Sequence, residues 1–296
     1  MFIPADIPEN KKKVYAQNMN TLTNNTDHIF LLAGDHKIEH LNADFYGSGI
    51  DPEAANPEHL FKIAASGNVG AFATHFGLIA RYGSQYPNVP YIVKLNGKTN
   101  IIDSEKDFSP ETKPDPISSR LWQVADVATL QDEAKLRIIG IGYTVYLGSS
   151  FEHVMLEQAA QAIIQAHQLG LLAILWIYPR GKAITHDADL ALLAGAAGVA
   201  NALGADIVKI KAPHNGPLLS DVEQLRIIKQ AAGNTKVICA GGEKKEIHAF
   251  LHEIRNFMQE GTIDGMAIGR NIFQRNLHDA IAHAQKISQE IYGTLS

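Results

Sequence analysis

The chain has 296 residues, 46% apolar and 19% charged, with 24 Gly and 12 Pro, enough apolar material for a packed core, which excludes disorder for most of it. Its 26 basic and 31 acidic side chains leave a net charge of −5, so no basic excess draws it to nucleic acid or an anionic membrane, and any anionic ligand must be held locally. The lone cysteine, Cys239, cannot form an internal disulfide, the N-terminus MFIPADIPENKKK lacks the order of a signal peptide, and the densest apolar stretch, Leu169 to Pro179, is too short to span a bilayer; a cytoplasmic setting is expected, with no nucleic-acid or membrane partner.

Residues 1–27 read as an N-terminal extension with a helix over KKKVYAQNMNTL, which would cover the floor of the domain that follows or meet a neighbouring subunit. Eight short apolar, β-branched runs come next: IFLLAG (29–34), GAFATHF (70–76), YIVKLN (91–96), IIGIGYTV (138–145), LLAILWIY (171–178), DIVKIK (206–211), KVICAGG (236–242) and GMAIGR (265–270). Amphipathic helical patterns separate them, among them stretches from Pro57, Phe151 and Asp187. Strand and helix alternating in this way imply a parallel α/β sheet, either a closed (β/α)8 TIM barrel or an open doubly wound sheet. The count of eight favours the barrel, and the first strand runs into AGDHKIEH where a dinucleotide-binding sheet would carry GxGxxG. A length that could be two domains is therefore read as one, a barrel over 28–296 with a Pro- and charge-rich excursion at 104–120.

Chemically capable residues gather where these strands end, the face on which barrels build active sites. Strand one ends at Asp35 and His36, strand three at Lys94 and Asn96, strand five at Trp176 and Tyr178, strand six at Lys209 and Lys211, and strands seven and eight at Gly241, Gly242, Gly269 and Arg270. Alternation puts Lys209 and Lys211 on one face, with Val208 and Ile210 on the other, where they suit the helix layer; the lysines then face the interior, as do Trp176 and Tyr178. A lysine there is either salt-bridged or neutral. At the ordinary pKa of a lysine about one amine in 2,500 is neutral at pH 7, so a nucleophilic amine needs roughly 4 kcal/mol of help from burial and a neighbouring cation, here Lys211. Tyr178 could carry a proton and Asp35 accept a hydrogen bond, although a packed ring and a helix N-cap account for the same residue types. AGGEKK and AIGRN place backbone amides and Arg270 where a barrel binds phosphate, or simply supply turn conformations. His36-Lys37-Ile38-Glu39-His40 has the spacing of an inverted zinc-peptidase motif, but it follows a strand directly and no amphipathic helix continues it, so no metal is expected; His75 and His214 show no ligand spacing.

The segments DHKIEHLNADF (35–45), VKLNGKT (93–99), GYTVYLGSSFE (142–152), WIYPRG (176–181), GADIVKIK (204–211), AGGEKK (240–245) and AIGRNIFQ (267–274) together resemble the archaeal-type class I fructose-1,6-bisphosphate aldolase family. The resemblance implies a Schiff base on Lys209, proton transfer by Tyr178, and a substrate surrounded by Asp35, His36, Trp176 and Arg180. It also implies a phosphate held by Ala240, Gly241, Gly242, Gly269 and Arg270, with Lys211 nearby, no cofactor, and a homo-oligomer, often a decamer. Lys37 and Leu41 stand where the family pattern carries glycine.

The expected activity is reversible cleavage of fructose 1,6-bisphosphate to dihydroxyacetone phosphate and glyceraldehyde 3-phosphate, through an iminium electron sink that requires no metal. A sibling Schiff-base transaldolase or thiolase-type enzyme acting on another phosphorylated ketose or dione would use the same lysine. A non-catalytic phosphosugar-binding barrel would have no use for Lys209 and Tyr178 together.

Overall fold

The computed structural model describes residues 1–40, 43–100, 112, 114–213, 219–258 and 262–293. Eight parallel strands close into a barrel in sequence order. They are β1 (Ile29–Ala33), β2 (Ala71–His75), β3 (Tyr91–Lys94), β4 (Ile138–Leu147), β5 (Leu172–Pro179), β6 (Ile207–Ile210), β7 (Lys236–Ala240) and β8 (Gly265–Ile268). All eight expected runs are strands, with β1, β2, β3, β6, β7 and β8 ending one or two residues earlier than expected, so that those residues enter the loops above the barrel. The fold is the single (β/α)8 TIM barrel anticipated from the alternation. Among the described residues no helix is long and apolar enough to cross a membrane.

The alternation of each strand divides the core in two. Ile29, Leu31, Ile174, Trp176, Ile207 and Ile238 pack inside the barrel, whereas Val208, Ile210, Leu175 and Ile177 pack outward beneath the helices. Helix α1 (Lys12–Leu22) lies under the barrel, and its buried Tyr15, Met19 and Leu22, four and three residues apart, join the interior cluster. Burying each such side chain contributes about 1.5–3 kcal/mol. The N-terminal segment is thus the floor of this barrel.

A polar knot fastens that floor. Tyr15 donates to Asp206 Oδ1 at 2.5 Å, and the ring nitrogens of buried His167 lie 2.7 Å from Asp6 Oδ2 and 3.1 Å from Asp206 Oδ2. Both nitrogens can donate only in the imidazolium form. Burial alone would lower the His167 pKa, but the hydrogen bonds and charges of Asp206 and Asp6 outweigh it and raise the pKa above the ordinary histidine value. A raised pKa in the folded state stabilises fully at pH below the unfolded value and is lost as pH rises through the folded one. The urea midpoint is therefore expected to fall as pH climbs from the ordinary histidine value to the raised His167 value, and His167→Gln should flatten that dependence.

Helix α2 (Leu190–Ala202) begins three residues after Asp187, the start expected from sequence, because Asp189 caps it through the Ala191 and Leu192 amides. Of the expected excursion at 104–120, residues 104–111 and 113 lie outside the described residues. Its end, Ser119–Arg120, pairs antiparallel with Asn96–Gly97 over the mouth of β3. Leu41 and His214 are likewise outside the described residues.

Candidate active site

Asp35 follows β1 and opens a single helical turn, His36–Glu39, yet its carboxylate caps nothing. It accepts instead from the Lys94 ammonium at 3.3 Å. Lys94 ends β3, is fully buried, and also donates to Thr144 Oγ1 on β4 at 2.6 Å. Burial would raise the Asp35 carboxyl, but Lys94, Lys209 and His36 together hold it far below the carboxylate range, so it stays ionised at any physiological pH. Asn96 fixes the adjoining backbone, donating to the Ser118 and Thr144 carbonyls and accepting from the Thr144 amide.

Lys209 sits across from Trp176 in the β5–β6 register, with its ammonium 5.5 Å from the indole centroid. It has no hydrogen-bond or ion-pair partner among the described residues. Burial lowers its pKa, Asp35 and Glu39 oppose that, and Arg270 adds to it. The cation that assists burial is thus Arg270, where the sequence pointed to Lys211. Lys211 lies past the end of β6, bonds Asp187 at 2.8 Å and is nearly half exposed. The alternation that set Lys209 inward does not extend beyond the strand.

Space for these groups is made by an absent side chain. A Cβ at Gly142 would lie 2.5 Å from the Trp176 ring and 2.9 Å from the Lys94 stem, which only glycine permits. Gly142→Ala is expected to cost about 1–3 kcal/mol through overpacking, measured by urea denaturation, and to lower activity by displacing both neighbours.

Tyr178 has no hydrogen-bond partner among the described residues; burial first, then Asp35, raises its pKa well above the tyrosine range. Its ring stacks 6.4 Å from that of Tyr146, and the Arg180 guanidinium stands 5.5 Å and 5.8 Å from the two centroids. Trp176 is buried, and its indole N–H has no partner among the described residues.

On the far side, a Cβ at Gly269 would meet His36 Cε1 at 2.5 Å and the Ala33 carbonyl at 2.8 Å, so the β8 loop approaches the β1 loop only as glycine. His36 is neutral there, with burial lowering its pKa to about 4. Asn271 ties the β7 loop down, donating to the Gly241 and Glu243 carbonyls. The Gly241 amide, expected at a phosphate, donates to the Ala267 carbonyl at 3.0 Å, and so is already occupied. Ala240 ends β7 and Gly242 follows in the loop. A cleft of about 560 Å³ opens here beside Arg270, lined also by Ser48, Gly49, Lys244 and Gln274. Arg270 lies 3.7 Å from Asp44, which also pairs with His40 at 2.8 Å.

Lys37 turns away from the site, over the Phe45 ring and onto the Ala55 carbonyl, which accounts for a bulky residue in the first loop. Among the described residues no group of three or more His, Cys, Asp or Glu is arranged to hold a metal ion. Three site residues escaped the sequence reading of roles: Thr144, Tyr146 and Glu39. The alternation of GYTVY, counted from Gly142, would have turned Thr144 and Tyr146 inward. No local signal marks Glu39 as the neighbour of Lys94, 3.8 Å away.

The DeoC/LacD family aldolase model matches residues 29–275. The fructose-bisphosphate aldolase/6-deoxy-5-ketofructose 1-phosphate synthase of Methanocaldococcus jannaschii is 46% identical over 279 residues, covering 94% of this chain and 86% of that protein. A solved fructose-bisphosphate aldolase from Slackia heliotrinireducens superposes with a TM-score of 0.94 at 41% identity, covering 100% of this chain and 91% of that one. A solved Schiff base-forming fructose-1,6-bisphosphate aldolase does so at 0.78 with 28% identity, over 94% and 99% of the two chains.

Proposed function

The chain belongs to the DeoC/LacD aldolase family, and from that premise we propose that it is a class I aldolase cleaving fructose 1,6-bisphosphate reversibly to dihydroxyacetone phosphate and glyceraldehyde 3-phosphate. The observation that carries this reading is Lys209: buried, unpaired among the described residues, and pushed toward its neutral form beside an ionised Asp35.

In this reading the Lys209 amine adds to the C2 carbonyl, and loss of water leaves an iminium. Removal of the C4 hydroxyl proton breaks the C3–C4 bond, and its electron pair moves to the iminium nitrogen, releasing glyceraldehyde 3-phosphate and leaving an enamine. Protonation at C3 and hydrolysis then return dihydroxyacetone phosphate and the free amine. Tyr178, protonated at rest, gives its proton to the hydroxyl that leaves the carbinolamine as water, accepts the C4 hydroxyl proton as the phenolate so formed, and delivers it to C3. Asp35 receives the hydrogen bonds of the carbinolamine and of a substrate hydroxyl, while Trp176 offers its unpaired N–H. His36, Gly242, Gly269 and Arg270 hold one phosphate, with Ala240 and Gly241 shaping its wall; Arg180 and half-buried Lys98 meet the other across the mouth. Lys211, engaged by Asp187, has at most a distant electrostatic part.

Transfer of the same enamine to a different aldehyde is the second reading. The name of the M. jannaschii relative favours it, since it joins a synthase activity to the aldolase. Cytoplasmic location and a homo-oligomer, in the decameric pattern of the resembled family, belong to the same proposal.

Borohydride reduction in the presence of dihydroxyacetone phosphate, followed by peptide mass spectrometry, is expected to place one adduct on Lys209. No adduct, or one on Lys211, overturns the reading. Product analysis with fructose 1,6-bisphosphate as substrate separates the two reactions.

A further inference from the structure

The HKIEH segment, whose spacing resembles a metal motif, does something else with its glutamate. Glu39 ends the single turn after β1 and points into the barrel mouth with its side chain 14% exposed. One carboxyl oxygen lies 3.8 Å from the Lys94 ammonium, and the other accepts from the Tyr146 hydroxyl at 3.4 Å. The Glu39 carbonyl accepts from Asn100 Nδ2 at 2.6 Å, which pins the end of the turn to the loop after β3.

Both contacts lead to groups with a part in the reaction. Lys94 is the ion-pair partner of Asp35 and lies 4.7 Å from the Trp176 ring centroid, the ring that Lys209 approaches at 5.5 Å. Tyr146 is the stacking partner of Tyr178. A fully buried ammonium needs its protons taken up. Thr144 and Asp35 accept two, and Glu39 is the remaining carboxyl within 4 Å among the described residues.

We propose that Glu39 is a positioning residue for the aldol reaction: it steadies the Lys94 ammonium against Asp35 on one side and holds Tyr146 beneath Tyr178 on the other. This rests on the Schiff-base reading of Lys209. The groups facing Glu39 among the described residues are Asp35 and His40 from its own loop, Lys94 and Lys98 from the β3 side, Tyr146 from β4, Tyr178 from β5 and Lys209 from β6. Burial raises the Glu39 pKa against the pull of Lys94, and the ionised carboxylate favours the protonated form of Lys209, so removing that charge makes the amine neutral at lower pH.

Glu39→Gln keeps the shape and the acceptor for Tyr146 but drops the charge. The expected result is a thermal midpoint near that of the wild type and undiminished borohydride labelling of Lys209. With these, kcat falls about 10- to 100-fold, KM stays within about twofold, and the acid limb of the kcat/KM profile moves to lower pH. A kcat within twofold of wild type, an unmoved acid limb, or a KM that rises in step with the loss overturns the proposal. So does labelling lost in the variant alone. Should Glu39→Gln fail to fold, Tyr146→Phe decides: kcat lowered with labelling intact supports the proposal, and an unchanged kcat overturns it. Absence of labelling in the wild-type protein overturns the Schiff-base reading itself, a separate result.

Discussion

Replacing Lys209 with methionine is expected to lower kcat/KM for fructose 1,6-bisphosphate by about 10⁴- to 10⁶-fold, the range seen when the nucleophile of a covalent mechanism is removed. Without the amine no iminium forms, and no other group at the C2 position can accept the electron pair of the breaking C3–C4 bond. The variant should fold, because a thioether fills the volume of the lysine stem beside Trp176 and carries no charge into the interior. A urea midpoint equal to or above that of the wild type, with cleavage lost, is the expected pair of results. Residual activity within about 10²-fold of wild type would place the reaction elsewhere. Lys209→Arg should be as inactive, since a guanidinium is charged at every accessible pH, and less stable, since it keeps a buried charge that burial already disfavours at this position.

Tyr178→Phe is expected to lower kcat by about 10²- to 10⁴-fold, the contribution of a positioned proton donor, while leaving Lys209 able to trap dihydroxyacetone phosphate. The ring would still stack on Tyr146 and face Arg180, so packing is retained. The diagnostic measurement is exchange of the C3 hydrogen of dihydroxyacetone phosphate with solvent. If one hydroxyl serves both the C4 oxygen and C3, exchange and cleavage slow together. Exchange at the wild-type rate alongside slow cleavage would assign the C3 proton to another group.

The barrel was open to reading because its signal is local. A strand buried on both faces must be short, apolar and β-branched, and eight such runs separated by helical patterns admit few topologies. Alternation then pointed Lys209 and Lys211 inward together, correctly for Lys209, and the same counting served for Trp176. The charge environment could not be read this way. Lys94 meets Asp35 across 59 positions of sequence and Tyr146 meets Glu39 across 107, distances over which periodicity carries no information. Lys211 shows the failure from the other side: one residue beyond β6 the chain leaves the pleat, and Asp187 in a neighbouring loop captures the side chain.

By itself the sequence determined which residues are strand, which are floor candidates, and which reactive groups lie at the ends of strands, because those properties depend on near neighbours and on burial pattern. Closure of the barrel decided the rest. It brought Arg270 rather than Lys211 to bear on Lys209 and set the Lys94 ammonium between two carboxyl groups. It also occupied the Gly241 amide with the Ala267 carbonyl and fastened α1 as the floor through Tyr15 and Asp206. Each of these is a contact between segments remote in sequence, and the electrostatics of a buried site are the sum of such contacts.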